Sequence, residues 1–183
     1  TMIGGFMTAL NIVREKEIGT IEQINVTPIK KWEFVLGKLI PFWMVGMIVF
    51  TMGLIVMYVV YGIVPQGSLP VLYLFAAVYL VAVLGLGLLI STFSNTQLQA
   101  MFIAYFFMMV FTLMSGLFTS TDSMPGWART ISDLIPVSHF INVVRLIVLK
   151  GSGLKETAQV LFYLVGFAVV LNGLAVLNYR KTN

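Results

Sequence analysis

The chain has 183 residues, of which 59% are hydrophobic and only 10% charged, and it carries a formal net charge of +4. Soluble domains carry about 25% charged residues, so this composition, with a mean hydropathy of +0.98, excludes a soluble globular domain and indicates a membrane protein. The basic excess lies outside the apolar runs, which argues against a nucleic-acid partner. The absence of cysteine excludes disulfide staples and thiolate metal sites.

The first apolar run, Met2–Val13, reaches only about 18 Å as a helix, against a hydrocarbon core of about 30 Å. It is read as the end of a span that begins upstream, with a short interfacial helix as the alternative. No secretory signal peptide is recognisable at the start, which lacks a basic stretch and a small-residue cleavage site.

Arg14–Lys38 follows, "REKEIGTIEQINVTPIKKWEFVLGK", and holds nine of the chain's eighteen charged residues, eleven basic plus seven acidic. Thr20-Ile21-Glu22-Gln23 has capping-box spacing, and Ile18, Ile21 and Ile24 share one side of a short helix. Thr27-Pro28 suits a second helix start, and Trp32 suits the membrane interface. The pattern predicts a helix, a sharp bend, a short helix along the membrane surface and a second bend. A solvated connector is the alternative. The length of the segment and its nearly balanced charge, five basic to four acidic, fit a protein contact better than attraction to anionic lipid.

Four runs long enough to span follow, Leu39–Val64, Val71–Ser91, Leu98–Phe118 and Ala158–Leu177, none containing Asp, Glu, Lys, Arg or His. Uncharged turns separate the first three, at Val64–Pro70 and Thr92–Gln99. Alternating the spans places Arg14, Lys16, Lys30, Lys31, Lys38, Arg180 and Lys181 on one side, with Arg129, Arg145, Lys150 and Lys155 opposite. The positive-inside rule assigns the first side to the cytoplasm. Between the third and fourth spans, Ser123–Gly151 predicts two short helices too charged and too short to span, with Pro125 starting one and Pro136 interrupting. Phe140, Val143, Val144 and Ile147 form a stripe on the second, and Gly151 closes it. A re-entrant or interfacial pair fits this pattern better than an exposed loop.

The whole is expected to be an all-α polytopic transmembrane bundle, one domain over residues 1–183. Its parts are a partial span (1–13), a cytoplasmic loop (14–38), three spans (39–118), an outer helical region (119–157) and a last span (158–178).

Two blocks resemble the membrane subunits of type-2 ATP-binding-cassette exporters. The first is Arg14-Glu15, Gly19-Thr20-Ile21-Glu22-Gln23, Thr27-Pro28 and Gly37-Lys38. The second is Ser115-Gly116-Leu117-Phe118, Met124-Pro125, Trp127, Leu134-Ile135-Pro136, Arg145 and Leu149-Lys150-Gly151. The resemblance implies that the opening loop couples to a nucleotide-binding ATPase, with Arg14, Glu15, Glu17, Gly19, Thr20, Glu22, Gln23, Thr27 and Pro28 at the interface. It also implies six spans per subunit, two such subunits as a homodimer or heterodimer, and an N-terminal part beyond this chain. ATP and Mg would be bound by the partner ATPase and no cofactor by this chain. A periplasmic adaptor is a further expected partner, and the bacterial inner membrane the expected location.

The spans agree with an external energy source. Ion-coupled transporters keep ionisable residues at membrane depth, and the four complete spans hold none. A P-loop at Gly37-Lys38 would need Gly at Trp32 and Ser or Thr at Leu39. The expected function is export of a hydrophobic or amphipathic, drug-like substrate. The alternatives are a non-transporting assembly subunit and a lipid-modifying membrane enzyme. Tyr105, Met108, Thr112 and Ser115 share one face of the third complete span and are the candidate translocation path, against ordinary helix packing. Gly46 with Gly53, Gly166 with Gly173, and Gly87 with Ser91 mark expected close helix contacts. Pro125, Trp127, Pro136 and Arg145 belong to the outer region, where Arg145 is expected to pair with Asp133 or Asp122 or to reach headgroups. Ser138 and His139 are neighbours whose side chains diverge on a helix, and no catalytic or metal site is expected from them.

Overall fold

A computed structural model describes residues 2–19, 31–118 and 123–178 of the chain. Among these, seven helices are α1 (Met2–Ile18), α2 (Lys31–Tyr61), α3 (Leu69–Phe93), α4 (Gln97–Met114), α5 (Gly126–Asp133), α6 (Pro136–Lys150) and α7 (Leu154–Asn178). Four of them, α2, α3, α4 and α7, are long and apolar enough to cross a membrane. The described residues form an all-α bundle, and the chain is a multi-pass membrane protein.

α3 is the hub. It packs most extensively on α7, then on α1 and α2, and Leu72, Phe75, Ala76, Tyr79, Ala82, Val83, Leu84 and Leu88 are all buried. Two glycines allow this crowding. Gly85 and Gly87 are two residues apart and so face roughly opposite directions, about 200° on a helix. A Cβ at Gly85 would strike the Asn172 side chain of α7, and one at Gly87 would strike the Gly5 carbonyl of α1. Asn172 locks the α7 contact by donating from Nδ2 to the Val81 carbonyl at 3.0 Å and to Ala168 at 2.8 Å. Gly5 admits the side chain of Met108, from α4, on its other flank.

α2 departs from the sequence expectation. The helix begins at Lys31 rather than near Leu39 and continues through Pro41 to Tyr61, so no break in the helix separates Trp32 from the span. A proline inside a helix clashes with the carbonyl four residues back. Here that residue is Gly37, with no atom crowding its Cβ position, so the backbone has room to adjust. Gly46 packs on Leu80, where a Cβ would lie 2.8 Å from Cδ2, whereas Gly53, Gly166 and Gly173 face open space. Of the expected small-residue pairs, Gly87 with Ser91 lies in a tight helix contact: both are on the buried surface of α3.

At the end opposite Arg14, α2 stops at Gly62 (φ +65°). The loop then pairs with α6: Gln66 N–H donates to Val148 (3.1 Å) and Gly67 N–H to Ile147 (3.0 Å). These carbonyls belong to the last turn of α6, where helix carbonyls lack intrahelical partners. α5 and α6 meet at 82°, with Pro136 in the first turn of α6 and Gly151 (φ +68°) closing it, as the sequence predicts. Val143 and Ile147 are fully buried, and Phe140 stacks on Tyr79 of α3 at 4.2 Å.

Candidate functional site

Three consecutive residues at the end of α1 each hold a different helix. The Lys38 ammonium of α2 donates to Glu15 Oε1. Lys16 donates from Nζ to the carbonyls of Ser91 and, at 3.3 Å, Ser94, at the end of α3. Glu17 accepts from the backbone N–H of Gln97 at 2.8 Å and from its side-chain amide, at the start of α4.

The charge signs match the helix ends. A helix N-terminus presents unpaired N–H groups and partial positive charge, and a C-terminus presents carbonyls and partial negative charge. Lys16 therefore meets the α3 C-terminus and Glu17 the α4 N-terminus, although the two are adjacent in sequence. The α3–α4 turn brings both helix ends to one place. Thr96 caps α4 by accepting from Gln99 N–H at 3.2 Å, while Gln99 Oε1 accepts from Asn95 N–H at 3.0 Å. The hydrogen bonds from Gln97, side-chain amide first, hold the Glu17 carboxyl below its ordinary pKa. Burial lowers that of Lys16. The Glu15 Oε2 and the Asn11 Oδ1 are buried and have no hydrogen-bond partner among the described residues.

The expected coupling residues divide between two regions. Arg14 is exposed, and Glu15 and Glu17 join the contacts above; Gly19 ends α1 with φ +79°. Thr20, Glu22, Gln23, Thr27 and Pro28, with the two short helices expected around them, lie outside the described residues. Lys16, Ser91, Ser94 and Gln97 were not among the residues singled out for the site. The capping spacing of Thr96 to Gln99 is the signal that marks the α4 start.

The candidate path residues sit at different depths in this single chain. Met108 is fully buried against α1 and Ser115 is buried, whereas Tyr105 is exposed. Thr112 donates to the Met108 carbonyl at 2.7 Å and Ser115 to Thr112 at 2.6 Å, so both hydroxyls are turned onto their own helix.

In the outer region, Pro125 caps α5 and Trp127 is exposed. Arg145 donates to the Gly116 carbonyl at 2.9 Å, tying α6 to the end of α4. It does not pair with Asp133, and Asp122 lies outside the described residues. Ser132 and Ser138 share the Met114 carbonyl, at 2.8 Å and 3.3 Å. His139 instead bonds through Nε2 to the Asp133 carbonyl at 2.7 Å and stacks on Tyr163. Ser138 and His139 thus point to different partners.

The described residues thus form a membrane-spanning bundle with a dense charged end and a bent helix pair at the opposite end. The chain matches the family described as ABC-2 family transporter protein over residues 1–177, and it belongs to that family. It is 32% identical to the probable multidrug ABC transporter permease YbhS of Escherichia coli K12, over 99% of this chain and 48% of that protein. The probable multidrug ABC transporter permease YbhR of the same organism is 31% identical over 96% of the chain and 48% of its own length. The linearmycin resistance permease protein LnrN of Bacillus subtilis is 21% identical over 93% and 43% respectively. The chain spans about half the length of the curated relatives it matches. No solved structure matches it significantly.

Proposed function

We propose that this chain is part of the membrane subunit of an ATP-binding-cassette exporter of the bacterial inner membrane, worked by a separate ATPase through Arg14–Lys38. The observation that carries this reading is the contact set of Glu15, Lys16 and Glu17. A force applied to the end of α1 acts at once on α2, on the end of α3 and on the start of α4. α3 is 25 residues long, about 37 Å, and α6 and α7 pack against it. A tilt begun at the α3–α4 turn therefore reaches the bent α5–α6 pair on the far side.

In this mechanism the partner holds ATP and Mg and does the hydrolysis. Closure of two ATPases pushes the 14–38 segments of two permease subunits, a homodimer or heterodimer. The bundles then rock to open a path outward, with Tyr105, Met108, Thr112 and Ser115 of α4 along it. A hydrophobic or amphipathic, drug-like substrate is supported by the multidrug names of the relatives. A periplasmic adaptor completes the proposed assembly.

The test is Glu22→Arg in the intact protein, co-purified with its ATPase. The reading expects the ATPase contact and substrate export to weaken while the permease remains folded and in the membrane. Unchanged ATPase binding and export would count decisively against it.

A further inference from the structure

α4 ends at Met114, and Gly116 (φ +77°) turns the chain away from it. The last carbonyls of a helix have no partner within it, and two at this end are taken by side chains of the bent α5–α6 pair. Ser132, near the end of α5, and Ser138, in the first turn of α6, reach the Met114 carbonyl at 2.8 Å and 3.3 Å. Arg145 of α6 donates to the Gly116 carbonyl at 2.9 Å. The Met114 carbonyl thus sits inside the 82° bend, and Ser115 beside it is sealed at 2% exposure.

Resting on the exporter reading above, we propose that Ser132 and Ser138 are positioning residues for export. They latch the outer end of α4 to the bent pair, and the latch opens in each transport cycle while α6 stays on α3.

The hydroxyl chemistry suits a reversible contact. Each serine has one proton to donate. In the latched state Ser132 gives its proton to Met114, and Ser138 has two acceptors in reach, that carbonyl and the Ser132 Oγ at 3.0 Å. When α4 withdraws, Ser138 still bonds Ser132. Ser132 then rotates onto the carbonyl four residues back, that of Ala128, as Thr130 of the same helix does onto Gly126 at 3.1 Å. Both serines are buried, where a donor left without a partner would be costly. They keep a partner in either state.

α6 is held differently on its other sides. Its last carbonyls accept from backbone, Gln66 N–H to Val148 at 3.1 Å and Gly67 N–H to Ile147 at 3.0 Å. A Cβ at Gly67 would lie 2.7 Å from the Ile147 oxygen, so the two backbones are in direct contact. Phe140 stacks on Tyr79, and Val143 and Ile147 are fully buried. α6 also packs more extensively on α3 and α7 than on α4. A backbone N–H has no rotamer in which to find another acceptor, so these links hold while the serine links release.

The experiment uses the intact protein with its ATPase in right-side-out vesicles. One cysteine is introduced into a cysteine-free background, by Ser115→Cys or by Ile147→Cys. A membrane-impermeant maleimide is added outside, and labelling rates are compared at rest and with ATP supplied inside. Position 115 is expected to be protected at rest and labelled during turnover, while position 147 stays protected throughout. Adding Ser132→Ala and Ser138→Ala should raise the resting rate at position 115 by about tenfold, the effect of losing two hydrogen bonds of ordinary net strength. That comparison needs no export. A resting rate unchanged by the two alanines would overturn the latch. Position 115 remaining protected under ATP while the ATPase stays bound would show a fixed brace, and labelling of position 147 in step with 115 would show that α6 lifts away with α4. Either result overturns the proposal. Co-purification of the ATPase from the same preparations reports separately on the exporter reading itself.

Discussion

Glu17 of α1 caps the first turn of α4 through Gln97, eighty residues along the chain, accepting both its backbone N–H at 2.8 Å and its side-chain amide. Next to it, Lys16 takes the end of α3. The α3–α4 turn is thereby attached to the charged segment more directly than chain connectivity would achieve.

The first prediction concerns that attachment. Glu17→Lys places a cation at a helix N-terminus and removes the acceptor for Gln97, two unfavourable changes at one site. Substrate export driven by the ATPase should fall at least about tenfold, equivalent to about 1.4 kcal/mol of coupling, while ATPase binding persists. A co-purification assay beside a transport assay separates the two readouts. Loss of ATPase binding with intact export per bound complex would argue that Glu17 belongs to the docking surface alone.

A pH dependence follows from the same carboxylate. Its folded-state pKa is depressed, chiefly by the Gln97 side-chain hydrogen bond, so the folded state holds the proton less tightly than the unfolded state does. The stabilising contribution is complete above the ordinary glutamate value, about 4.3, and is lost as pH falls through the depressed value. Thermal melts of wild type and Glu17→Gln should differ at neutral pH and converge in acid. A difference that grew on acidification would contradict the assigned sign.

Glycine positions offer a paired test of packing. At Gly87 a side chain would meet the Gly5 backbone, which cannot rotate away, whereas at Gly166 no atom lies within 4 Å of the added carbon. Gly87→Leu should destabilise the bundle by about 3 kcal/mol, the upper end of ordinary overpacking. Gly166→Ala should leave it unchanged or raise stability by up to about 1 kcal/mol through helix propensity. Thermal denaturation in detergent measures both. Equal effects at the two sites would mean that α1 does not cross α3 at Gly87.

On the far side, Phe140 joins α6 to Tyr79 of α3, and Arg145 joins α6 to the end of α4. Phe140→Ala should cost about 3 kcal/mol, in the range of large core truncations. Arg145→Lys should weaken export more than stability, since a lysine keeps the charge but lacks the planar fork. Melting and transport measured on the same preparations check the split.

Hydropathy made the four spans legible, because an uncharged run of twenty apolar residues has few other uses. Local chemistry made the bent outer pair legible: Pro136 cannot continue a helix, and Gly151 adopts the left-handed turn that closes one. The start of α2 was not legible. Its first turns carry Lys31, Glu33 and Lys38, which mark a loop in hydropathy, yet their apolar neighbours Val35 and Leu39 are buried in the bundle. The position of α3 at the centre was also hidden, since a helix that is apolar all round has no readable face. Gly85 and Asn172 were the available clues, one small residue and one amide in otherwise greasy runs. At the charged site, the sequence singled out Glu15 and Glu17 but not their partners. Those partners are Lys38 and the backbone N–H and side-chain amide of Gln97, which sequence spacing alone does not pair.

The most direct measurement places a photoreactive amino acid at position 22 of the intact protein and irradiates native membranes. The account predicts an adduct with the nucleotide-binding ATPase, formed from the cytoplasmic side, whose yield changes when ATP is bound. An adduct with an external protein, or reaction of this position with a reagent confined to the outside, would contradict the claim that a soluble motor works the bundle from its charged end.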